Sequence, residues 1–300
     1  MAFVPAVLSF AVPASGLERL KKVSDRFYFF QGDFGNPNSG VIVTPGGLVV
    51  IDAQWSTAAA GDFLREIREV SDLPVRFLVY THAHADHVSG AHVLAQGATV
   101  AASASTAREM EERGREMVDA LKERIRNQAD DLPLVLPALT FSGRTVIRIG
   151  GVDVVLIDVG RGHSWGDTAV FLPEEGILYA ADLVATNRFP WIRESSIREW
   201  LAALARLSAE TGGPVEKVFP GHGEPGGAAQ IERTKRLLEA LRREVGAAIE
   251  AGWSTFEAQR RIRLTEFSSL ENYEFRLPPA VGRVYEEMEA EKEGIAPGHP

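Results

Sequence analysis

Tyr80-Thr81-His82-Ala83-His84-Ala85-Asp86-His87 sets three imidazoles and a carboxylate within six positions, directly behind the apolar run 77–80. The chain has 7 histidines in 300 residues and three fall here, so a solvated polar turn is a poor account of the stretch. An extended chain leaving a strand points His82 and His84 the same way, and two neutral imidazoles can then converge on one cation. Asp86 and His87 fall where the chain is expected to turn into a helix carrying Val88, Ala91 and Leu94, and they face a second position beside the first. The stretch reads as half of a site for two divalent metal ions.

Composition narrows what such a site can serve. At 45% hydrophobic residues the chain has material for a large core. A formal net charge of -9 lacks the basic footprint of a nucleic-acid binder, which leaves a small molecule as the expected substrate. With no cysteine there is no thiolate nucleophile, disulfide or Cys-ligated zinc, so any metal must be held by His and carboxylate. No window of 18 apolar residues supports a membrane span. Residues 2–12 are largely apolar and precede Pro13-Ala14-Ser15-Gly16, as at the end of a signal peptide, but no positive charge comes before them. They are read as an N-terminal arm over 1–22 of a cytoplasmic protein, with an exported form as the alternative. The sequence says nothing of oligomeric state.

Along the chain, runs 27–30, 41–43 and 48–51 are separated by Gly, Asn and Pro turns, the pattern of antiparallel hairpins. Asp52 closes the third run, either orienting a metal-bound imidazole from behind or capping a turn. Phe63, Leu64, Ile67 and Val70 then predict a helix. Met110, Met117, Val118, Leu121 and Ile125 predict another. Residues 144–149 and 152–157 form a hairpin across Gly150-Gly151. Three later runs each end in a possible ligand: 154–159 leads to Gly162-His163-Ser164, 177–180 to Asp182, and 218–219 to Pro220-Gly221-His222-Gly223. Singly, these are ordinary loop, cap and turn residues; jointly they describe a site gathered at one rim of a sheet pair. Beyond them, Leu237, Leu238, Leu241, Val245 and Ile249, and then Val281, Val284, Tyr285 and Met288, make two helical packing stripes. The basic run 260–263 reads as a solvated helix face, and His92 has no assigned role.

The set Thr81-His82-Ala83-His84-Ala85-Asp86-His87, Gly162-His163-Ser164, Ala181-Asp182 and Pro220-Gly221-His222-Gly223 resembles the metallo-β-lactamase fold superfamily over residues 23–225. The resemblance implies an α+β four-layer αββα sandwich spanning 23–228, here with a C-terminal helical extension over 229–300. It implies that His82, His84 and His163 hold a first metal, Asp86, His87 and His222 a second, and that Asp182 bridges the two. Zinc is the default ion, and iron and manganese match the same ligands. Class B β-lactamases with a cysteine at the bridging position differ, because Asp182 stands there. The histidine that glyoxalase II and persulfide dioxygenases carry after the His163 turn is replaced by Asp167.

The chemistry expected is hydrolysis of an ester, thioester, lactone or amide, with weak β-lactamase activity in view, by a hydroxide bridging two metals. Asp86 is the catalytic candidate, ligating and passing the proton to the leaving atom. Trp55, Trp165, Asn187, Arg188, Trp191 and Arg193 either line a substrate pocket with an anion-binding group or pack the rim loops. Two rival readings keep the same ligands: a mononuclear iron oxygenase of the persulfide dioxygenase type, and a metal-holding relay protein with little turnover.

Overall fold

In the computed structural model, which describes residues 19–33, 36–124 and 132–294, β-branched and aromatic runs alternate between two buried faces. Within β2 (Phe27–Phe30), Phe27 and Phe29 point one way and Phe30 the other; β4 (Gly47–Ile51) sends Val49 and Ile51 one way, Leu48 and Val50 the other. That period of two builds two sheets that share an inner face and are each covered outside by helices.

The first sheet has seven strands in chain order: β1 (Leu20–Lys22), β2, β3 (Ser39–Thr44), β4, β5 (Val75–Val79), β6 (Thr99–Ser103) and β7 (Leu139–Phe141). Pairing is antiparallel as far as β4, as the hairpin turns imply, and parallel from β4 to β7. The parallel step requires a crossover, which is supplied by α1 (Thr57–Val70), capped at its start by Ser56 Oγ accepting from Ala59 N at 3.1 Å. The second sheet runs β13 (Gly226–Gly227), β12 (Lys217–Pro220), β11 (Ile177–Ala181), β10 (Asp167–Leu172), β9 (Val152–Gly160) and β8 (Arg144–Ile149). Gly150 and Gly151 take positive φ at the β8–β9 turn, as their pairing predicts.

Phe27, Phe29, Ile42, Val49, Leu156, Val170, Tyr179 and Phe219 fill the space between the sheets. Phe63, Ile67, Leu78, Tyr80 and Met110 fill the layer under α1 and α4 (Ala104–Arg124). Val155, Ile157, Phe171, Trp200, Leu238 and Val281 fill the layer under α5 (Ile197–Glu210), α6 (Ala229–Glu250) and α8 (Tyr273–Lys292). The result is the expected four-layer αββα sandwich with C-terminal helices, α7 (Thr255–Arg261) among them, packed on the second sheet. Each fully buried Leu, Ile, Val or Phe contributes about 1.5–3 kcal/mol before entropy is counted. Among the described residues no helix is long and apolar enough to cross a membrane.

Two expectations change in detail. The helix over Val88, Ala91 and Leu94 is instead two four-residue turns, α2 (Ala85–Val88) and α3 (Ala91–Leu94). The break falls at Gly90, where the backbone passes so close to Ala53 O that a Cβ would overlap it. Leu20–Lys22, inside the arm set at 1–22, is the edge strand of the first sheet; the signal-like stretch 2–16 and Ile125 lie outside the described residues.

Glu287 on α8 fastens the C-terminal helices to the sandwich. Its buried carboxylate accepts from Ser196 Oγ, Ile197 N and Arg198 N at the start of α5 (2.9, 2.9 and 3.3 Å), where the helix dipole favours an anion. Glu287→Ala is expected to lower unfolding free energy by about 2–4 kcal/mol, since charged hydrogen bonds are lost and buried donors orphaned. Urea denaturation checks this, and a loss under about 1 kcal/mol would contradict it.

Candidate metal centre

Every expected ligand follows the C-terminal end of a strand, so one rim of the sandwich receives them all. His82, His84, Asp86 and His87 come after β5, His163 after β9, Asp182 after β11 and His222 after β12. The rim is tied together by backbone contacts: Thr168 N donates to Thr81 O across the two sheets at 2.7 Å. Asn38, fully buried, donates through Nδ2 to Pro220 O and Gly223 O (2.9 and 3.0 Å), while its own N donates to Gly221 O at 2.7 Å. The turn that carries His222 is thereby clamped from the opposite sheet. His163 is held by Ser195 Oγ donating to its carbonyl at 2.9 Å and by the Trp200 ring 5.3 Å away.

Two candidate ligand sets result, with one residue between them. Nε2 of His82 lies 3.1 Å from Nδ1 of His84, which lies 3.0 Å from Nε2 of His163. Nε2 of His222 lies 3.2 Å from Nε2 of His87 and 3.3 Å from an oxygen of Asp86. Between the two sets stands Asp182, one oxygen 3.4 Å from His163 Nε2 and 3.6 Å from His222 Nε2, the other 3.8 Å from His87 Nε2.

These groups fit cations on three independent grounds. Donors each about 2.0–2.1 Å from a tetrahedral zinc are about 3.3 Å apart, close to the separations above. Burial, joined by neighbouring imidazoles, holds His82 well below its usual range and His163 at about 3, so both rings are neutral and offer lone pairs. A neutral imidazole keeps one nitrogen with a free lone pair, and a metal can take the place of the N–H contacts that these nitrogens otherwise make with one another at 3.0–3.1 Å. Finally, Asp182 Oδ1 is buried with no hydrogen-bond partner among the described residues, and Gly221 leaves room beside it that a Cβ would fill.

Asp52 orients two of the rings at once. It accepts from Thr81 N at 2.9 Å and Thr81 Oγ1 at 2.8 Å, and its Oδ2 lies 2.9 Å from His87 Nδ1. Thr81 Oγ1 in turn lies 3.0 Å from His82 Nδ1. With Nδ1–H committed to this network, Nε2 of both rings is left as the donor to a metal. Of the two roles open to Asp52, the structure gives it the supporting one. Burial disfavours charge on His87, yet Asp52, Asp86 and Asp182 outweigh it and lift its pKa to about 10, so a proton competes with any cation there. Asp52 (φ 60) and Ala181 (φ 46) are held in the left-handed region, backbone strain that coincides with the residues presenting the site. Asp52→Ala is expected to weaken metal binding roughly 10–100-fold. Competition titration with a chelating dye measures this, and unchanged affinity would contradict the supporting role.

A cavity of about 660 Å³ opens onto the centre, walled by Arg188, Phe189, Trp191, Arg193, Glu194 and Arg276 beside the ligands. Three of the expected pocket residues stand elsewhere. Trp55 packs against the Ala85, Val118, Leu121 and Leu132 cluster. Trp165 is buried, with the Arg113 guanidinium 5.0 Å from its ring. Asn187 ties the wall together: its Oδ1 accepts from Glu224 N and its Nδ2 donates to Glu271 Oε1, both at 2.9 Å. Arg276, on α8, was not singled out from the sequence, where it is one charge among many on an amphipathic helix.

A family model, the metallo-beta-lactamase superfamily, matches residues 32–222. Among curated proteins, a type 2 metallo-beta-lactamase of Bacillus cereus is 25% identical over 214 residues, 70% of this chain and 76% of the relative. A linear primary-alkylsulfatase of a Pseudomonas strain is 24% identical over 66% of this chain and 43% of the relative. Among solved structures, a metallo-beta-lactamase from Pontibacter korlensis superposes with a TM-score of 0.62 at 24% identity, covering 73% of this chain and 98% of that one.

Proposed function

The chain belongs to the metallo-beta-lactamase superfamily and is metallo-hydrolase-like at that level, and we propose that it is a two-metal hydrolase of acyl bonds in small molecules. The observation that carries this reading is the pair of three-ligand groups, His82-His84-His163 and Asp86-His87-His222, with Asp182 between them. Divalent cations held there, zinc by ligand type, supply Lewis acidity and a water activated near neutral pH.

The protein's own groups then have defined tasks. The oxygen of water bonds to the acyl carbon of an ester, thioester, lactone or amide, and the bond to the leaving atom breaks. Asp86 takes the proton from water and delivers it to that atom. Burial opposes charge on Asp86, but His87, His222 and His84 outweigh it and hold the carboxyl well below its usual range, so it begins the cycle ionised. No serine or cysteine nucleophile is needed. Phe189, Trp191, Arg193, Glu194 and Arg276 wall the cavity in which the substrate would lie beside the ligands.

The test is one preparation reconstituted separately with zinc and with iron, assayed on a panel of acyl substrates beside an oxygen electrode. The zinc form is expected to cleave acyl bonds without consuming oxygen. Turnover confined to the iron form and matched by oxygen uptake would overturn the reading in favour of an oxygenase.

A further inference from the structure

Arg276 reaches the cavity from α8, more than fifty residues beyond His222, the nearest expected ligand in sequence, and its placement is fixed on two sides. Nη1 donates to Phe189 O at 2.5 Å, and the guanidinium lies 5.5 Å from the centre of the Trp191 ring. Arg188 lines the same cavity, its position set by a backbone bridge from Arg188 to Glu271 and by Phe189 N donating to Glu271 O at 2.9 Å. A substitution at Gly223 would push a Cβ onto Arg188 Cγ and Cδ (3.1 and 3.0 Å), so the turn after His222 also shapes this wall.

The charges do not cancel locally. Among the described residues, the carboxylate paired with Arg188 is the exposed Glu271, at 3.7 Å. Arg276 has no carboxylate within 4 Å among the described residues, and the acids that act on it from further off are Asp182 and Asp86. Those two are the carboxylates that metal ions would neutralise. Glu194, the acid in the wall, is already paired with Arg113 at 3.1 Å. Burial and the neighbouring Arg188 charge push Arg276 below its usual range, against the opposite pull of Asp182 and Asp86, and both arginines line the one cavity.

We propose that Arg188 and Arg276 form a subsite for a single oxyanion, a carboxylate or sulfonate, carried by the acyl substrate, with Trp191 supplying a flat apolar wall beside it. An oxyanion accepts from both guanidinium forks, relieves their repulsion and places an attached apolar group against the indole. The substrate class is therefore acyl compounds with an anionic substituent. The substrate half of this inference rests on the hydrolase reading; the anion-binding half does not.

Two measurements on the zinc-loaded protein separate them. The first follows phenol release from the monophenyl ester of glutaric acid and from its uncharged methyl phenyl diester. The parent chain is expected to favour the anionic ester in kcat/KM by roughly ten- to a hundredfold, mostly through KM, the worth of charged hydrogen bonds in a partly buried site. Arg276→Gln and Arg188→Gln are expected to erase most of that ratio, and Arg276→Lys to restore part of it. Arg260→Gln, on an exposed helix end, leaves it unchanged. The second measurement is calorimetric binding of benzenesulfonate and benzoate against neutral benzamide. Tighter binding of either anion, lost in Arg276→Gln, supports the subsite even if neither ester is cleaved, in which case only the hydrolase reading fails. Equal cleavage of the two esters, or equal binding of anions and benzamide, overturns the subsite and leaves the hydrolase reading standing. Binding of the anions that persists in both Gln variants overturns it as well, since it would report contact with the metals alone.

Discussion

His84→Ala is expected to lose the first metal ion and to slow hydrolysis by at least about a thousandfold. Nδ1 of His84 lies 3.1 Å from His82 Nε2 and 3.0 Å from His163 Nε2, at the middle of its group. Two imidazoles do not fill a tetrahedral set, and several kcal/mol of charge stabilisation leave with the ion. The matched control is His92→Ala. That ring belongs to the short α3 turn, with Nε2 3.1 Å from Thr57 Oγ1 and no place in either ligand set, and its loss should leave metal content and rate near those of the parent chain. Equal losses in the two variants would show that the cluster is misassigned.

Asp182→Asn is expected to weaken the second metal position more than the first, by on the order of a hundredfold, equivalent to about 3 kcal/mol. The substitution keeps the shape and removes the charge that both positions share. The first keeps three imidazoles, whereas the second keeps two imidazoles and Asp86, which must also move a proton. The strained backbone at Ala181 and the close approach of Gly221 hold residue 182 in place whichever side chain it carries, so affinity reports charge rather than displacement. Stepwise zinc titration followed by calorimetry gives both constants; no change in either would refute the bridging role.

The candidate ligand set was legible in the sequence because it is written locally. Three histidines and an aspartate fall in six positions, and the remaining ligands each follow an apolar run that becomes a strand. Hairpin turns with paired glycines were readable for the same reason. Asp52 was ambiguous, since its contact with His87 spans 35 positions and a positive φ at an aspartate leaves no mark in the sequence. The cavity wall was the least readable part. Trp55 and Trp165 face the packing around α4 rather than the centre, and Asn187 spends its amide on Glu224 and Glu271. Which of several rim side chains faces a pocket depends on how residues 187–189 dock on residue 271, a contact across more than eighty positions. Arg276 shows the same limit from the other side. Helical periodicity places it on α8 but says nothing of what α8 packs against.

If seven side chains hold two ions around a shared Asp182, the zinc-saturated, extensively dialysed protein must carry both of them. Elemental analysis is expected to return two zinc ions per chain, one of them lost selectively on Asp86→Ala. One ion or none in the parent chain at saturation would contradict the account.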